Sequence, residues 1–165
     1  MLSIPGNFTM SSDIDYLRQA MALADEAELD GDVPIGALLV VGDRIFPARN
    51  EKELRQDPTA HAEILAIRDA ASVLGTWRVS GSLYVTKEPC AMCAGAIVAA
   101  RIERLVFGCL DPKGGAAGSV IDVFESEAVN HRVDVTSGVL ETETGEQLRS
   151  FFHKRRVRQS ASEGP

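Results

Sequence analysis

Residues 83–108 read LYVTKEPCAMCAGAIVAARIERLVFG. Leu83 to Thr86 is an apolar, partly β-branched run expected as a strand. Cys90 to Ala100 is Ala-rich and expected as a helix, and Arg104 to Gly108 reads as a second strand. A strand, a helix and a strand in this order imply a crossover connection and at least one parallel pairing.

On the N-terminal side, Ser12 to Leu29 places Ile14, Leu17, Met21 and Ala24 at helical spacing. Ser12 stands at the N-cap and Gly31 at the end. Ala37 to Val41, then Gly42-Asp43, then Arg44 to Ala48 read as a hairpin, with Pro47 confining the second strand to an edge. Asn50 to Thr59 is a polar loop, and Ala60 to Val73 is expected as a helix with a buried face. On the C-terminal side, Asp111 to Ser119 (DPKGGAAGS) is a glycine-rich loop and Val133 to Thr136 a fifth strand. Thr144 to Arg158 is a last helix, apolar at Leu148, Phe151 and Phe152 and then basic.

The chain of 165 residues, 45% hydrophobic and 25% charged, is sized for one domain with a real core. The expected division is a leader at 1–11, a domain at 12–158 and a frayed tail at 159–165. No apolar run is long enough for a transmembrane helix, and the N-terminus lacks the pattern of a signal peptide. The expectation is a cytoplasmic protein with no membrane partner.

A net charge of −7 argues against a protein that coats nucleic acid along its length. The charge is unevenly spread. Residues 1–32 hold seven acids and one Arg, whereas 149–158 hold Arg149, Lys154, Arg155, Arg156 and Arg158 with no acid.

Three cysteines without a secretory signal point to metal ligation or redox chemistry before a disulfide framework. Cys90 and Cys93, at i and i+3, project to one side of a first helical turn and can share a cation. His61 opens the preceding helix and offers a third ligand. One His and two thiolates suit Zn²⁺, and three protein ligands leave the open position of a catalytic site. Glu63 could then face a bound water as general acid and base. Taken singly, the CxxC also fits a redox pair or half a zinc ribbon, His61 a hydrogen-bonded histidine, and Glu63 a solvated helix face. Cys109 is expected as a buried thiol at a strand end.

The pairing of His61-Ala62-Glu63 with Pro89-Cys90-Ala91-Met92-Cys93 is the signature of zinc nucleobase deaminases. On it the chain resembles the cytidine deaminase superfamily. Within that superfamily, Gly114 to Ser119, Asn130-His131-Arg132-Val133, and Phe151-Phe152 with Arg155-Arg156 make it similar to the bacterial tRNA-specific adenosine deaminases.

The resemblance implies a three-layer α/β/α fold whose central mixed five-stranded sheet is flanked by helices. One Zn²⁺ per subunit would be held by His61, Cys90 and Cys93. It further implies a homodimer that binds a tRNA anticodon stem-loop, not DNA, and converts the wobble adenosine to inosine with release of ammonia. A hydroxide generated at zinc would attack C6 while Glu63 shuttles protons. Asn50 would hydrogen-bond the flipped nucleoside, with Val33, Pro34 and Ile35 lining the base pocket. Asp111 and Lys113 would flank the anticodon groove, and Phe152, Arg155 and Arg156 would meet phosphate or base.

Each of these positions also has a plain reading: a turn Asn, an apolar strand entry, a glycine turn, or a basic helix end that complements the helix dipole. Lys87, Cys109 and the stretch Phe46 to Arg49 depart from the family pattern. The competing functions are a small-molecule deaminase acting on guanine or cytosine, and a zinc-stabilised module without catalysis.

Overall fold

The computed structural model describes residues 12–162. The expected leader and residues 163–165 lie outside the described residues. Its strands are β1 (Gly36–Val41), β2 (Arg44–Arg49), β3 (Ser82–Lys87), β4 (Arg104–Cys109) and β5 (Asp134–Thr136). They form one sheet in the order β2-β1-β3-β4-β5. β1 pairs antiparallel with β2 and β3, and the crossover read from residues 83–108 makes β3 and β4 parallel; β5 extends the parallel part.

The pleat sends alternate residues to opposite faces. Leu38, Tyr84 and Val106 stand in register across β1, β3 and β4 and face helix α1 (Asp13–Leu29) through Leu17. Ala37, Leu39, Leu83, Val85, Leu105 and Phe107 face the other way, onto α3 (Ala62–Leu74) and α4 (Ala91–Ala99). Each large side chain fully buried there contributes roughly 1.5–3 kcal/mol. Helix α5 (Glu141–Ser162) joins α1 on the first face, where the Gln147 amide donates to the Met21 carbonyl at 3.0 Å. The expected three layers are therefore present.

Helix α1 differs from its sequence reading in the face it buries. Leu17, Ala20, Ala24 and Ala27 are inside, while Ile14 is 45% exposed. Backbone approach decides this. A Cβ placed on Gly36 would lie 1.9 Å from the Ala20 carbonyl oxygen, so the helix sits directly on β1 with its small side chains inward.

Asn50 to Thr59 is not wholly loop, because Lys52–Arg55 forms a short helix, α2. The last helix begins at Glu141 and runs to Ser162, so Gln159 to Ser162 are helical where a frayed tail was expected. Pro47 does lie in the outer strand β2, opposite Leu38.

Asp13, in the first turn of α1, accepts two hydrogen bonds from the Arg104 guanidinium on β4, at 2.7 and 2.8 Å. Those bonds hold the Asp13 carboxyl below its ordinary range. A depressed carboxylate stabilises the fold above its unfolded pKa, and the contribution disappears as pH falls through the folded value. The Asp13→Asn variant is therefore expected to unfold about 0.5–1 kcal/mol more easily at pH 7, as for a partly exposed pair. Melting curves of the two proteins should converge as pH drops below about 4. A gap that does not shrink as the pH falls below about 4 would contradict this account.

Candidate metal centre and its surroundings

The ligands stand at the starts of α3 and α4, each placed by a short, stiff approach. Asp57 Oδ1 accepts from both the N–H and the hydroxyl of Thr59, at 2.8 Å each, and His61 N–H donates to the Thr59 carbonyl at 2.8 Å. This turn delivers His61 as the residue preceding α3, in extended conformation. On the other side β3 runs into Glu88-Pro89. Proline disfavours helix in the residue before it, so the chain reaches Cys90 extended and only then coils into α4.

His61 Nδ1 lies 3.7 Å from Cys90 Sγ and 3.5 Å from Cys93 Sγ, and the three ligand atoms are all within 4.8 Å of one another. A tetrahedral Zn²⁺ with ordinary bond lengths sets a His nitrogen and a thiolate sulfur about 3.6 Å apart. The triangle fits such a cation.

Charge supports the same reading. Hydrogen bonds from Cys93 and His61 hold the Cys90 thiol far below its usual range, while contact with Cys90 and burial push Cys93 up. Two sulfurs that oppose each other over one negative charge are reconciled by a cation that takes both as thiolates. Glu63 follows in the first turn of α3 and is 5% exposed; burial pushes its carboxyl up.

Around this centre the other residues singled out from sequence divide into two groups. Asn50 is buried, its amide donating to Asp32 and to the Val33 carbonyl, and the Glu51 N–H donates to the carbonyl of Ala60, next to His61. Val33 is half-buried and Pro34 buried. Asn50 thus joins the Val33-Pro34 segment to the approach to His61.

The remaining ones lie further out. Burial would raise the Asp111 carboxyl, but an ion pair with Lys87 at 2.6 Å and the N–H groups of Lys113 and Gly114 together hold it below the ordinary range. The departure at Lys87 thus serves the glycine-rich loop. The Lys113 side chain is exposed. Phe152, Arg155 and Arg156 are exposed on α5, across the sheet from α3 and α4. Arg155 lines a cleft with Lys154, Arg158 and Phe151 that reaches Gly31, the neighbour of Asp32. Cys109 is buried at the end of β4, its thiol directed at the Thr86 carbonyl 3.7 Å away.

Two acids that organise this region were given no role from the sequence. One is Asp32. The other is Glu88, 2% exposed, whose carboxylate accepts the N–H groups of Asp111, Ala117 and Ser119 at 2.8–3.0 Å and the Ser119 hydroxyl. Glu88 ties the glycine-rich loop to the approach to Cys90. The only local clue was an acid beside Pro89, and burial is invisible in such a clue.

A Cβ on Gly115 would meet the Glu88 carboxylate at 2.3 Å. Gly115→Ala is expected to destabilise the protein by about 1–3 kcal/mol, the usual range for overpacking. Urea unfolding measures it, and an unchanged midpoint would show that the loop is not clamped.

Residues 11–156 match the model of the MafB19-like deaminase family. The chain is 48% identical over 155 residues to the tRNA-specific adenosine deaminase of Bacillus subtilis (strain 168), covering 93% of this chain and 96% of that one. It is 49% identical over 147 residues to the tRNA-specific adenosine deaminase of Haemophilus influenzae (strain ATCC 51907 / DSM 11121 / KW20 / Rd), covering 87% and 85%. Among solved structures, one from work on A-to-I editing by tRNA:A34 deaminases superposes with a TM-score of 0.78 at 45% identity. The match covers 81% of this chain and 98% of that one.

Proposed function

The chain belongs to the MafB19-like deaminase family, and from that premise we propose that it deaminates the wobble adenosine of a tRNA anticodon loop to inosine, water entering and ammonia leaving. The observation that carries the reading is the meeting of His61, Cys90 and Cys93 between the starts of α3 and α4, with the buried Glu63 two residues after His61. Three ligands with an adjacent acid make a reaction centre; a purely structural zinc site closes with four.

His61, Cys90 and Cys93 would hold Zn²⁺, which when bound acidifies water and so supplies a nucleophile at neutral pH. Glu63 accepts a proton and delivers protons to adenine N1 and to the departing amine. Its burial keeps bulk water from competing for those transfers. Val33 and Pro34 provide an apolar wall for the base, and Asn50 a polar contact to the nucleoside. A loop nucleotide can be unstacked into such a site at lower cost than a paired one.

The basic end of α5, with Arg155 in the Gly31 cleft and Phe152 and Arg156 exposed on the same helix, would meet the RNA backbone together with Lys113 near Asp111. Because dense positive charge is confined to this segment, affinity for an anticodon stem-loop is expected to fall only shallowly with salt. The slope should correspond to a few phosphates, about −0.7 per contact on single-stranded RNA in a log–log plot. A slope fitting ten contacts would contradict it.

The outer face of α4 supports a homodimer. Gly95, Val98 and Ala99 with Val129 form one apolar cleft, and Ala96 and Ala99 with exposed Trp77 form another. Both are suited to burial against a second copy. No helix among the described residues is long and apolar enough to cross a membrane, and a tRNA substrate accords with a cytoplasmic site of action.

The deciding experiment offers the purified protein an anticodon stem-loop with a wobble adenosine, alongside free adenosine, guanine and cytosine, and follows ammonia and inosine. Inosine in the stem-loop is expected. Turnover confined to a free base would replace this reading with that of a metabolite deaminase.

A further inference from the structure

Asp32 is completely buried, yet it forms no ion pair among the described residues. Its Oδ1 accepts the backbone N–H of Glu53 at 2.8 Å and the side-chain amide of Asn50 at 3.4 Å. Its Oδ2 accepts the N–H of Leu54 at 3.0 Å. The Asn50 amide nitrogen has a second acceptor, the Val33 carbonyl at 3.3 Å. Both acceptors, a carboxylate and a backbone carbonyl, lack any proton to give. Turning the amide over would set its oxygen against both of them, so the orientation is determined. Asn50 must keep its nitrogen toward Asp32 and Val33 and present its carbonyl oxygen to the other side. That oxygen accepts from no group among the described residues, and it is not among the buried polar atoms sealed without a partner.

We propose that Asp32 is a positioning residue: it fixes the Asn50 amide as a pure acceptor, so that the site reads a hydrogen-bond donor on the target nucleotide. The inference rests on Asn50 facing the substrate, as proposed above. The donor follows from the chemistry of an RNA strand. The 3′ and 5′ oxygens of the ribose are esterified, which leaves the 2′-hydroxyl as its one donor. The only donor of adenine, the N6 amine, is attached to the reacting carbon and belongs beside Glu63. The Asn50 oxygen therefore reads the 2′-hydroxyl of the wobble nucleotide, and Asp32 keeps it aimed. Asp32 does this while capping α2, so the hold on Asn50 is anchored in backbone.

The test compares a stem-loop carrying wobble adenosine with the same stem-loop carrying 2′-deoxyadenosine at that position. Wild type is expected to favour the ribose form by about tenfold in kcat/KM, the worth of one hydrogen bond near the upper end of the neutral range. Asn50→Ala and Asp32→Asn should each bring the ratio toward one, and the double variant should bring it no lower. An Asn at position 32 can face Asn50 with either end and so frees its amide to turn. Asp32→Ser, whose hydroxyl can still cap α2, replaces it if the Asn variant does not fold.

If Asn50→Ala changes neither activity nor ratio, the premise that Asn50 meets substrate is wrong. If Asn50→Ala removes the preference while the Asp32 variants slow both substrates equally, Asp32 is merely structural and the inference is overturned with the premise intact. A wild type indifferent to the 2′-hydroxyl overturns the inference as well.

Discussion

Glu63→Gln is expected to lower kcat on an anticodon stem-loop by about 10²–10⁴-fold, the usual worth of a positioned acid–base group. The metal content should be unchanged. Gln matches Glu in shape, and residue 63 is not among the three ligand atoms that meet at the centre, so binding of the cation survives. What is lost is a group that can both take and return a proton, which an amide cannot do. The loss should fall on kcat more than on KM, because the proton transfers belong to the transition state. The check is single-turnover inosine formation together with elemental analysis. A Gln variant retaining a tenth of wild-type turnover would remove Glu63 from the proton path, and one that lost its metal would make it a ligand or a support.

The second large effect concerns the cation. Chelation is expected to abolish turnover and to lower the melting temperature, with both restored by added Zn²⁺. The three ligand atoms come from two separate helices, so a cation bound there crosslinks α3 to α4 and favours the folded state by mass action. A ligand at 100–1,000 times its dissociation constant contributes about 2.7–4.1 kcal/mol. In a chain of this size that corresponds to roughly 5–15 °C. Cys93→Ser should reproduce both losses and resist rescue by Zn²⁺, since the replaced sulfur is the buried one. Activity that persists after complete removal of metal would exclude the proposed chemistry.

The parts of this molecule that were legible in the sequence are those held by local pattern. β3, α4 and β4 could be read because an apolar run, a proline and an alanine stretch each act on their own segment. The metal triad could be read because Cys90 and Cys93 share a helical turn and His61 carries Glu63 with it. Other features are imposed from a distance. Helix α2 has no apolar stripe of its own; its first N–H groups are capped by Asp32, 21 and 22 residues away, and the sequence of the loop carries no sign of that cap. The buried face of α1 was misread at Ile14 because contact with Gly36 favours small side chains over large ones. Glu88 looked like any acid beside a proline until the loop of Asp111 to Ser119 folded over it. The Asn50 contact could be inferred only by resemblance, since the acceptors that orient it come from residues 32 and 33.

The outer strand has a bearing on which contacts the sheet can make beyond itself. A free sheet edge offers unpaired backbone groups on which strands of other molecules can polymerise. Pro47 lies in that edge, where a residue without an N–H is compatible with the pairing to β1 only if its nitrogen is turned outward. Arg44 and Arg49 close the strand at either end. A foreign strand arriving here meets a gap in the donors at Pro47 and the exposed cation of Arg44 at one end, so the edge is a poor template for cross-β aggregation.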